Sequence, residues 1–453
     1  MRRLFLVLLL WAPLQAQDLR ISVPYSRFVL PNGLNVVLHQ DRTTPTVTLN
    51  IWYHVGSARE KPGRTGFAHL FEHIMFEGSK NVPEGKFDEW LEAAGGSNNG
   101  STNTDRTNYY ESFPSNALEL ALFLESDRLG FLLDAMSPEK VDGQRDVVKN
   151  ERRQRVENQP YGMASIIIGE NLYPADHPYH WPVIGSMADL SAASYEDVVE
   201  FFKTYYVPNN ASLVIAGDID LQETKQLVEK WFGNIPAGPE PRPLDVPGVS
   251  LPASVRLVLQ DKVQLPRLYM VWHSPALFEP GDAEMDIIAN VLASGKNSRL
   301  YKRLVYEMQI AQDVYAYQAS STLGSSFWIV STARAGHTLT EIEGIIREEL
   351  ETLRAEAPTK RELDRTVNQY EARFLSGLEG IGEKADRLNS YYFHTGNPDY
   401  FNEDLARYRA IDPDDIRMAA LSTLKEDRNV VLSIVPEGKI ELAAENSKEV
   451  QKP

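Results

Sequence analysis

The sequence predicts an α+β fold made of two related sandwich domains, each an antiparallel-rich sheet with helices packed on one face. Three observations support this prediction. The chain has 453 residues, which is enough for two domains of roughly 200 residues each. A proline-rich stretch lies near its middle. Short strand and helix patterns recur in the same order on both sides of that stretch.

The amino-terminal residues have the features of a signal peptide. Arg2 and Arg3 form a charged start, and residues 4–11 are apolar but too few to span a bilayer. A tolerable cleavage site ends at Ala16. We therefore expect residues 1–16 to be removed and the mature protein to be exported, periplasmic or extracellular, without a membrane span.

The first domain is expected over residues 24–235. Residues 27–38 predict a β-hairpin, because a Pro-Asn-Gly turn separates two short apolar runs. Residues 47–55 predict a further strand. Residues 66–76 have apolar side chains around most of a helical projection, which predicts a buried helix.

Six prolines without apolar periodicity predict an extended linker over residues 236–253. A second, related domain is expected over residues 254–440. Its predicted elements are strands at 255–259 and 268–273 and a helix at 284–293. Residues 441–453 are expected to form a disordered tail.

The spacing of elements indicates that the two halves are copies of one domain. The strand beginning at Leu213 lies 140 residues after His73 in the first predicted helix. The strand beginning at Val431 lies 141 residues after Asn290, the aligned position in the second helix. The second helix lacks the side chains that could bind a metal in the first.

The composition excludes several functions. A formal net charge of −17 argues against nucleic acid as a partner. The absence of cysteine excludes disulfides, cysteine zinc ligands, a cysteine nucleophile and a lipid-modified cysteine. No G-x-S-x-G motif is present, so a carbohydrate- or lipid-processing hydrolase has no matching signal.

The first helix holds His69, Glu72 and His73 in the order H-x-x-E-H. In a helix these three side chains share one face. Two imidazoles one turn apart can bind one tetrahedral Zn²⁺, and the carboxylate between them can take a proton from a water on that metal. The pattern reverses H-E-x-x-H and predicts metal-dependent hydrolysis. The alternative is that both histidines are structural and Glu72 pairs with an arginine.

A catalytic zinc usually has three protein ligands and an open position for water. The best source of a third ligand is the helix-forming stretch from Pro138 to Glu157, which contains several carboxylates. These include Glu139, Asp142, Asp146, Glu151 and Glu157. Spacing alone does not choose among them.

Longer sequence segments add a family resemblance. The segments that carry it are 52–57, 69–73 with 75–78, 95–109 and 298–301. On these segments the chain resembles the pitrilysin (insulinase) family of zinc metallopeptidases. It is similar to the short two-domain form, which includes the mitochondrial processing peptidase beta subunit and bacterial secreted relatives.

The resemblance implies an exported zinc metalloendopeptidase of the H-x-x-E-H (inverzincin) type that hydrolyses peptides or unfolded segments. It implies one Zn²⁺ per chain, held by the first domain, with Glu72 as general base on zinc-bound water. The family's third ligand matches Glu151, which lies 78 residues after His73.

The resemblance also implies that the region from Asn99 to Thr102 forms an edge strand that pairs with the peptide substrate, with Asn99, Gly100 and Ser101 as the substrate-binding residues. Such pairing reads the backbone of a peptide and gives limited side-chain specificity. Without the resemblance, the segment would be interpreted as a polar turn.

The chain departs from the family pattern at two places. Gln144 stands where relatives often carry a second glutamate, and Val305 and Gln312 stand where the second domain usually supplies an arginine and a tyrosine. Arg303 and Tyr306 lie nearby at the wrong spacing. We therefore expect a related partner chain, forming a heterodimer, or a homodimer. The alternative function is a non-catalytic zinc-binding subunit that scaffolds or binds peptides for a partner.

Overall fold

The computed structural model describes residues 20–452, so the expected signal peptide lies outside the described part. Within residues 20–452, no helix is both long and apolar enough to cross a membrane. The described chain forms two halves, each built around a six-stranded sheet.

The first half contains six strands and eight α-helices in its described part. The strands are β1 (Ser26–Val29), β2 (Asn35–Gln40), β3 (Thr46–Tyr53), β4 (Ser97–Thr102), β5 (Thr107–Pro114) and β6 (Ala211–Gly217). The helices are α1 (Phe67–Ile74), α2 (Lys86–Ala93), α3 (Leu118–Phe131), α4 (Pro138–Arg152), α5 (Ala164–Leu172), α6 (Met187–Ala192), α7 (Tyr195–Tyr205) and α8 (Leu221–Phe232). A π-helical turn, Arg153–Glu157, directly follows α4.

The second half contains six strands and six α-helices in its described part. The strands are β7 (Val255–Asp261), β8 (Arg267–Ser274), β9 (Ala311–Ala319), β10 (Ser325–Ala333), β11 (Val430–Pro436) and β12 (Lys448–Glu449). The helices are α9 (Asp282–Ala293), α10 (Leu339–Ala355), α11 (Lys360–Ser376), α12 (Ile381–Thr395), α13 (Phe401–Arg409) and α14 (Pro413–Thr423).

The two sheets follow the same path. The first has the order β1-β2-β6-β3-β5-β4 and the second the order β12-β7-β11-β8-β10-β9. Each sheet contains a parallel pair at the equivalent position, β6 with β2 in the first half and β11 with β7 in the second. Apart from the short parallel β12–β7 pair, the other described neighbours are antiparallel. The predicted fold class, two related antiparallel-rich sheets with packed helices, is therefore confirmed.

Each sheet is covered on one face by helices of its own half and on the other by a helix from the other half. Helix α5 packs its run of isoleucines, residues 166–168, against apolar side chains of the second sheet. Helix α12 packs Leu388 and Tyr391 against Val37 and Val214 of the first sheet. This exchange of helices joins the two halves through buried apolar surface, which strongly favours association.

The segments that flank the second half differ in structure. Between α8 and β7 the chain forms neither helix nor strand. At the carboxyl end, by contrast, β12 pairs with β7, and Lys452 Nζ lies 2.6 Å from Asp261 Oδ1. The structure thus corrects the expected disordered tail, because β7 offers unpaired backbone groups that no local sequence pattern reveals.

Candidate active site

Helix α1 is held firmly at its start. Gly66 has a left-handed φ of 87° and lies so close to Gly185 that an added Cβ would meet its Cα at 2.8 Å. The buried Glu60 carboxylate accepts hydrogen bonds from the Gly66 N–H (2.9 Å) and the Ala68 N–H (2.7 Å). Gly66, at the start of α1, has no side chain that could cap the helix, and the Glu60 carboxylate caps the first turn instead. Burial raises the pKa of Glu60 to about 8, against these hydrogen bonds.

The structure brings His69, His73 and Glu151 together. Glu151 Oε2 lies 3.1 Å from His73 Nε2 and 3.7 Å from His69 Nε2. One ligand atom from each of the three side chains lies within 4.8 Å of the others. Ligand atoms around a tetrahedral zinc, at about 2.0–2.2 Å from the ion, are about 3.3 Å apart. Between residues 20 and 452, this is the one group of histidines and carboxylates with such geometry.

The chemistry of these donors fits a zinc ion. His69 is largely buried, and burial, with the neighbouring His73, lowers its pKa to about 4, so the imidazole is neutral as a metal ligand must be. Its Nδ1 is buried without a hydrogen-bond partner in the described part of the chain. Glu151 Oε1 accepts a hydrogen bond from Arg155 Nη1 at 2.7 Å, which leaves Oε2 for the two imidazoles. Two nitrogens and one oxygen are an accepted ligand set for catalytic zinc.

Glu72 lies on the same helix but outside this group of three atoms. Its Oε2 accepts a hydrogen bond from Thr102 Oγ1 at 2.6 Å. Burial raises the pKa of Glu72, and the bond from Thr102 opposes that rise. A carboxylate held beside a candidate metal-binding group, yet not a member of it, has the arrangement required of a general base.

Strand β4 lies at the edge of the first sheet, beside α1, and contains the predicted Asn99, Gly100 and Ser101. Of these, Gly100 faces the helix, since a Cβ there would lie 3.1 Å from Glu72 Cγ. Asn99 and Ser101 face the opposite side of the sheet by strand alternation. Ser101 Oγ donates to Asn108 Oδ1 at 2.6 Å on that side. Thr102, which ends the expected edge strand but was given no side-chain role from the sequence, shares the Gly100 face at i+2.

The other carboxylates of the predicted ligand stretch are placed elsewhere. Glu157 accepts a hydrogen bond from Arg152 Nε at 2.9 Å and takes no part in the histidine group. Gln144, one helical heptad before Glu151, donates from Nε2 to Glu77 Oε1 at 2.6 Å. This hydrogen bond joins α4 to the segment that follows α1.

The second half offers no matching site in its described residues. Asp286 and Asn290, aligned with the two histidines, have protein partners. Asp286 Oδ2 accepts a hydrogen bond from the Tyr408 hydroxyl at 2.7 Å. Asn290 Oδ1 accepts one from Arg373 Nη2 at 2.8 Å. Both side chains are therefore used in packing the helices of this half.

The positions expected to hold substrate in the second half do not supply charged or phenolic groups. Val305 packs against the core of that half, and Gln312 is exposed on β9. Arg303 forms ion pairs with Glu348 (2.7 Å) and Glu349 (2.8 Å). That guanidinium is already engaged and does not substitute for the missing arginine.

Comparison with known families gives two matches. The profile described as Insulinase (Peptidase family M16) matches residues 35–170. The profile described as Peptidase M16 inactive domain matches residues 192–370. His69, Glu72, His73 and Glu151 all lie within the first match.

Individual relatives cover most of the chain. The zinc protease PqqE of Helicobacter pylori is 29% identical over 367 residues, covering 80% of this chain and 82% of that protein. The Arabidopsis thaliana protein named "Probable mitochondrial-processing peptidase subunit beta, mitochondrial" is 23% identical over 431 residues, covering 92% of this chain and 79% of that protein. The crystal structure of a protease from Helicobacter pylori superposes with a TM-score of 0.85 at 26% identity, covering 92% of this chain and 100% of that one. These similarities extend over both halves.

Proposed function

The chain belongs to the insulinase family, peptidase family M16, and from this premise we propose that it is a zinc-dependent endopeptidase acting on peptides or unfolded segments. One observation carries the proposal: His69, His73 and Glu151 meet within 4.8 Å while Glu72 stands beside them on the same helix. The zinc protease name of the Helicobacter pylori relative supports it.

Three of the four residues are assigned to the metal and the fourth to proton transfer. His69, His73 and Glu151 would hold one zinc ion per chain. When bound, zinc supplies Lewis-acid polarisation of the scissile carbonyl and lowers the pKa of water to about 7. Glu72 accepts the proton of the attacking water and passes it to the leaving amine. General acid–base catalysis of this kind contributes about 10²–10⁴-fold.

The edge strand β4 would place the substrate. No described strand lies beyond it, so no strand pairs with its outer N–H and C=O groups, and a peptide could add there as a further strand. We assign Asn99, Gly100 and Ser101 to this substrate segment. Because only an extended backbone can pair with β4, the geometry favours peptides and unfolded segments over folded proteins.

The alternative is a non-catalytic zinc-binding subunit. The profile described as an inactive domain matches residues 192–370, beyond the candidate ligands. Glu72, which such a subunit would not need, is present and is held by Thr102. Both points favour the enzyme over the alternative.

Metal removal tests the proposed activity. The purified mature protein is expected to cleave an unstructured peptide, to lose cleavage after treatment with a chelator, and to regain it when zinc is added back. Peptide cleavage and zinc content are measured on the same samples. Cleavage that persists in metal-free protein would refute the zinc mechanism. Bound zinc without cleavage, even with a partner chain present, would establish the non-catalytic alternative.

Export is part of the proposal. It is supported by the charged start and the short apolar run of residues 4–11. Fractionation of producing cells should find the protein outside the cytoplasm, periplasmic or extracellular, and shortened at its amino terminus. Full-length protein confined to the cytoplasm would contradict this assignment.

The active form is proposed to include a partner chain of the same family. Val305 and Gln312 cannot replace a guanidinium clamp, and Arg303 is paired with two glutamates. The subunit name of the Arabidopsis thaliana relative is consistent with assembly. A related chain that carries the arginine and tyrosine could complete the site, and a homodimer that tolerates their absence is the alternative.

Reconstitution tests the partner. Purified alone, the chain is expected to bind zinc but to cleave peptides weakly, and a related exported chain with the arginine and tyrosine should raise turnover. Turnover is measured with size determination of the mixture and of each chain alone. A fully active homodimer that gains nothing from the second chain would exclude the heterodimer.

A further inference from the structure

Thr102 joins the candidate base to the candidate substrate strand. Its hydroxyl donates a hydrogen bond of 2.6 Å to Glu72 Oε2. Its backbone belongs to β4, the edge strand beside α1. One residue therefore contacts the base through its side chain and lies, through its main chain, on the strand that would receive a peptide.

The pairing of β4 with β5 shows which way the Thr102 backbone points. The Asn103 N–H donates to the Arg106 carbonyl at 3.0 Å, which makes these two residues a hydrogen-bonded pair. Hydrogen-bonded pairs alternate along an antiparallel ladder. Ser101 and Asn108, in register across the two strands, form the next such pair. The N–H and C=O of Thr102 and of Gly100 therefore point to the free edge.

The free edge is partly covered in the peptide-free protein. The Gly100 N–H is capped by the Asn99 side chain, whose Oδ1 lies 2.8 Å away. The hydrogen bonds of the described structure include no comparable cap on the Thr102 backbone. Thr102 thus offers main-chain groups to an added strand without a side-chain rearrangement.

Glu72 also depends on Thr102 for its orientation. Among the described side chains, the Thr102 hydroxyl is the donor that the Glu72 carboxylate accepts. Gly100 lies close against Glu72, since an added Cβ would approach Glu72 Cγ to 3.1 Å, but it has no side chain that could hydrogen-bond the carboxylate. Threonine is stiff about χ1 because it branches at Cβ. A rigid donor anchored on the substrate strand is well suited to aim a carboxylate.

We propose that Thr102 is a positioning residue that aligns Glu72 with a peptide paired to β4. The Thr102 hydroxyl holds the Glu72 carboxylate, and the Thr102 backbone would pair with the substrate. The distance between the base and the bound peptide backbone then depends on the geometry of this one residue. This inference rests on the proposed peptidase function and adds a residue that the metal group does not include.

The test compares Thr102→Val, Thr102→Ser and the wild type. Valine keeps the shape and the backbone groups of threonine but removes the donor, whereas serine keeps the donor. We expect Thr102→Val to lower kcat by about 10- to 100-fold, a part of the ~10²–10⁴-fold that acid–base catalysis contributes. Its KM should change less than about threefold, because strand pairing is retained. Thr102→Ser should recover most of kcat.

Zinc content and a matched control separate this role from a structural one. Both Thr102 variants should keep wild-type zinc content, since Thr102 is not in the ligand group. Thr46→Val makes the same change on β3 of the same sheet, at an exposed position away from Glu72, and should leave kcat unchanged. These results together would support the proposal.

Three results would overturn it. Unchanged kcat in Thr102→Val would show that the hydroxyl does not position the base. A rise in KM alone would assign the residue to strand pairing only, and loss of zinc would assign it to the fold. A wild-type protein that binds zinc but never cleaves peptide, with or without a partner, would instead fail the proposed function, and this inference with it.

Discussion

Replacing Glu72 by glutamine is expected to abolish nearly all peptidase activity while zinc stays bound. The amide has the shape of the carboxylate and can still accept the Thr102 hydrogen bond, but it cannot take a proton from water. The loss should reach or exceed the ~10²–10⁴-fold attributed to general acid–base catalysis. Zinc should remain because Glu72 lies outside the His69, His73 and Glu151 group. kcat/KM for an unstructured peptide and zinc per chain are the measurements.

Glu89→Gln is the matched control for this variant. Glu89 lies on the exposed side of α2 and pairs with Lys86 at 2.5 Å, so the same chemical change there should leave activity intact. Full activity of Glu72→Gln with zinc bound would eliminate Glu72 as the base. Loss of zinc in the variant would instead show that Glu72 helps to hold the metal.

Replacing Glu151 by alanine is expected to remove zinc binding and activity together. The substitution deletes the oxygen that lies 3.1 Å from His73 Nε2 and 3.7 Å from His69 Nε2, leaving two imidazoles. Loss of an outer-shell partner already weakens metal affinity by about 10–100-fold, and loss of a ligand should cost more. Zinc affinity by competition with a chelator, together with peptide cleavage, tests this expectation.

Glu157→Ala provides the comparison within the same stretch of chain. Glu157 lies six residues further along and pairs with Arg152 at 2.9 Å, away from the histidines. Its replacement should spare both zinc and activity. If Glu157→Ala strips the metal while Glu151→Ala retains it, the assignment of the third ligand is wrong.

The sequence alone predicted the features that depend on short-range periodicity. His69, Glu72 and His73 fall on one face of α1 because a helix repeats every 3.6 residues, wherever the helix packs. The strands of both halves follow from alternation and turn residues in the same way. The similarity of the two halves was predicted from the number of residues between equivalent elements. The order of strands in the two sheets shows the same similarity.

The rotation of α4 could not be predicted from its sequence. Val147 and Val148 are adjacent, and either could have been the buried position. In the structure Val148 is buried with Val141, one heptad earlier, while Val147 is 45% exposed. That choice turns Glu151 toward the histidines. Which carboxylate lies beside them was therefore decided by the packing of α4 and not by its composition.

Contacts between distant segments were likewise settled only by the tertiary structure. The bond from Thr102 to Glu72 spans 30 residues and exists because β4 closes the sheet beside α1. The exchange of α5 and α12 between the halves and the pairing of β12 with β7 have the same origin. Local patterns determine which element forms and which side chains share its face. The partner of that face depends on how the whole chain buries its apolar surface and pairs its backbone groups.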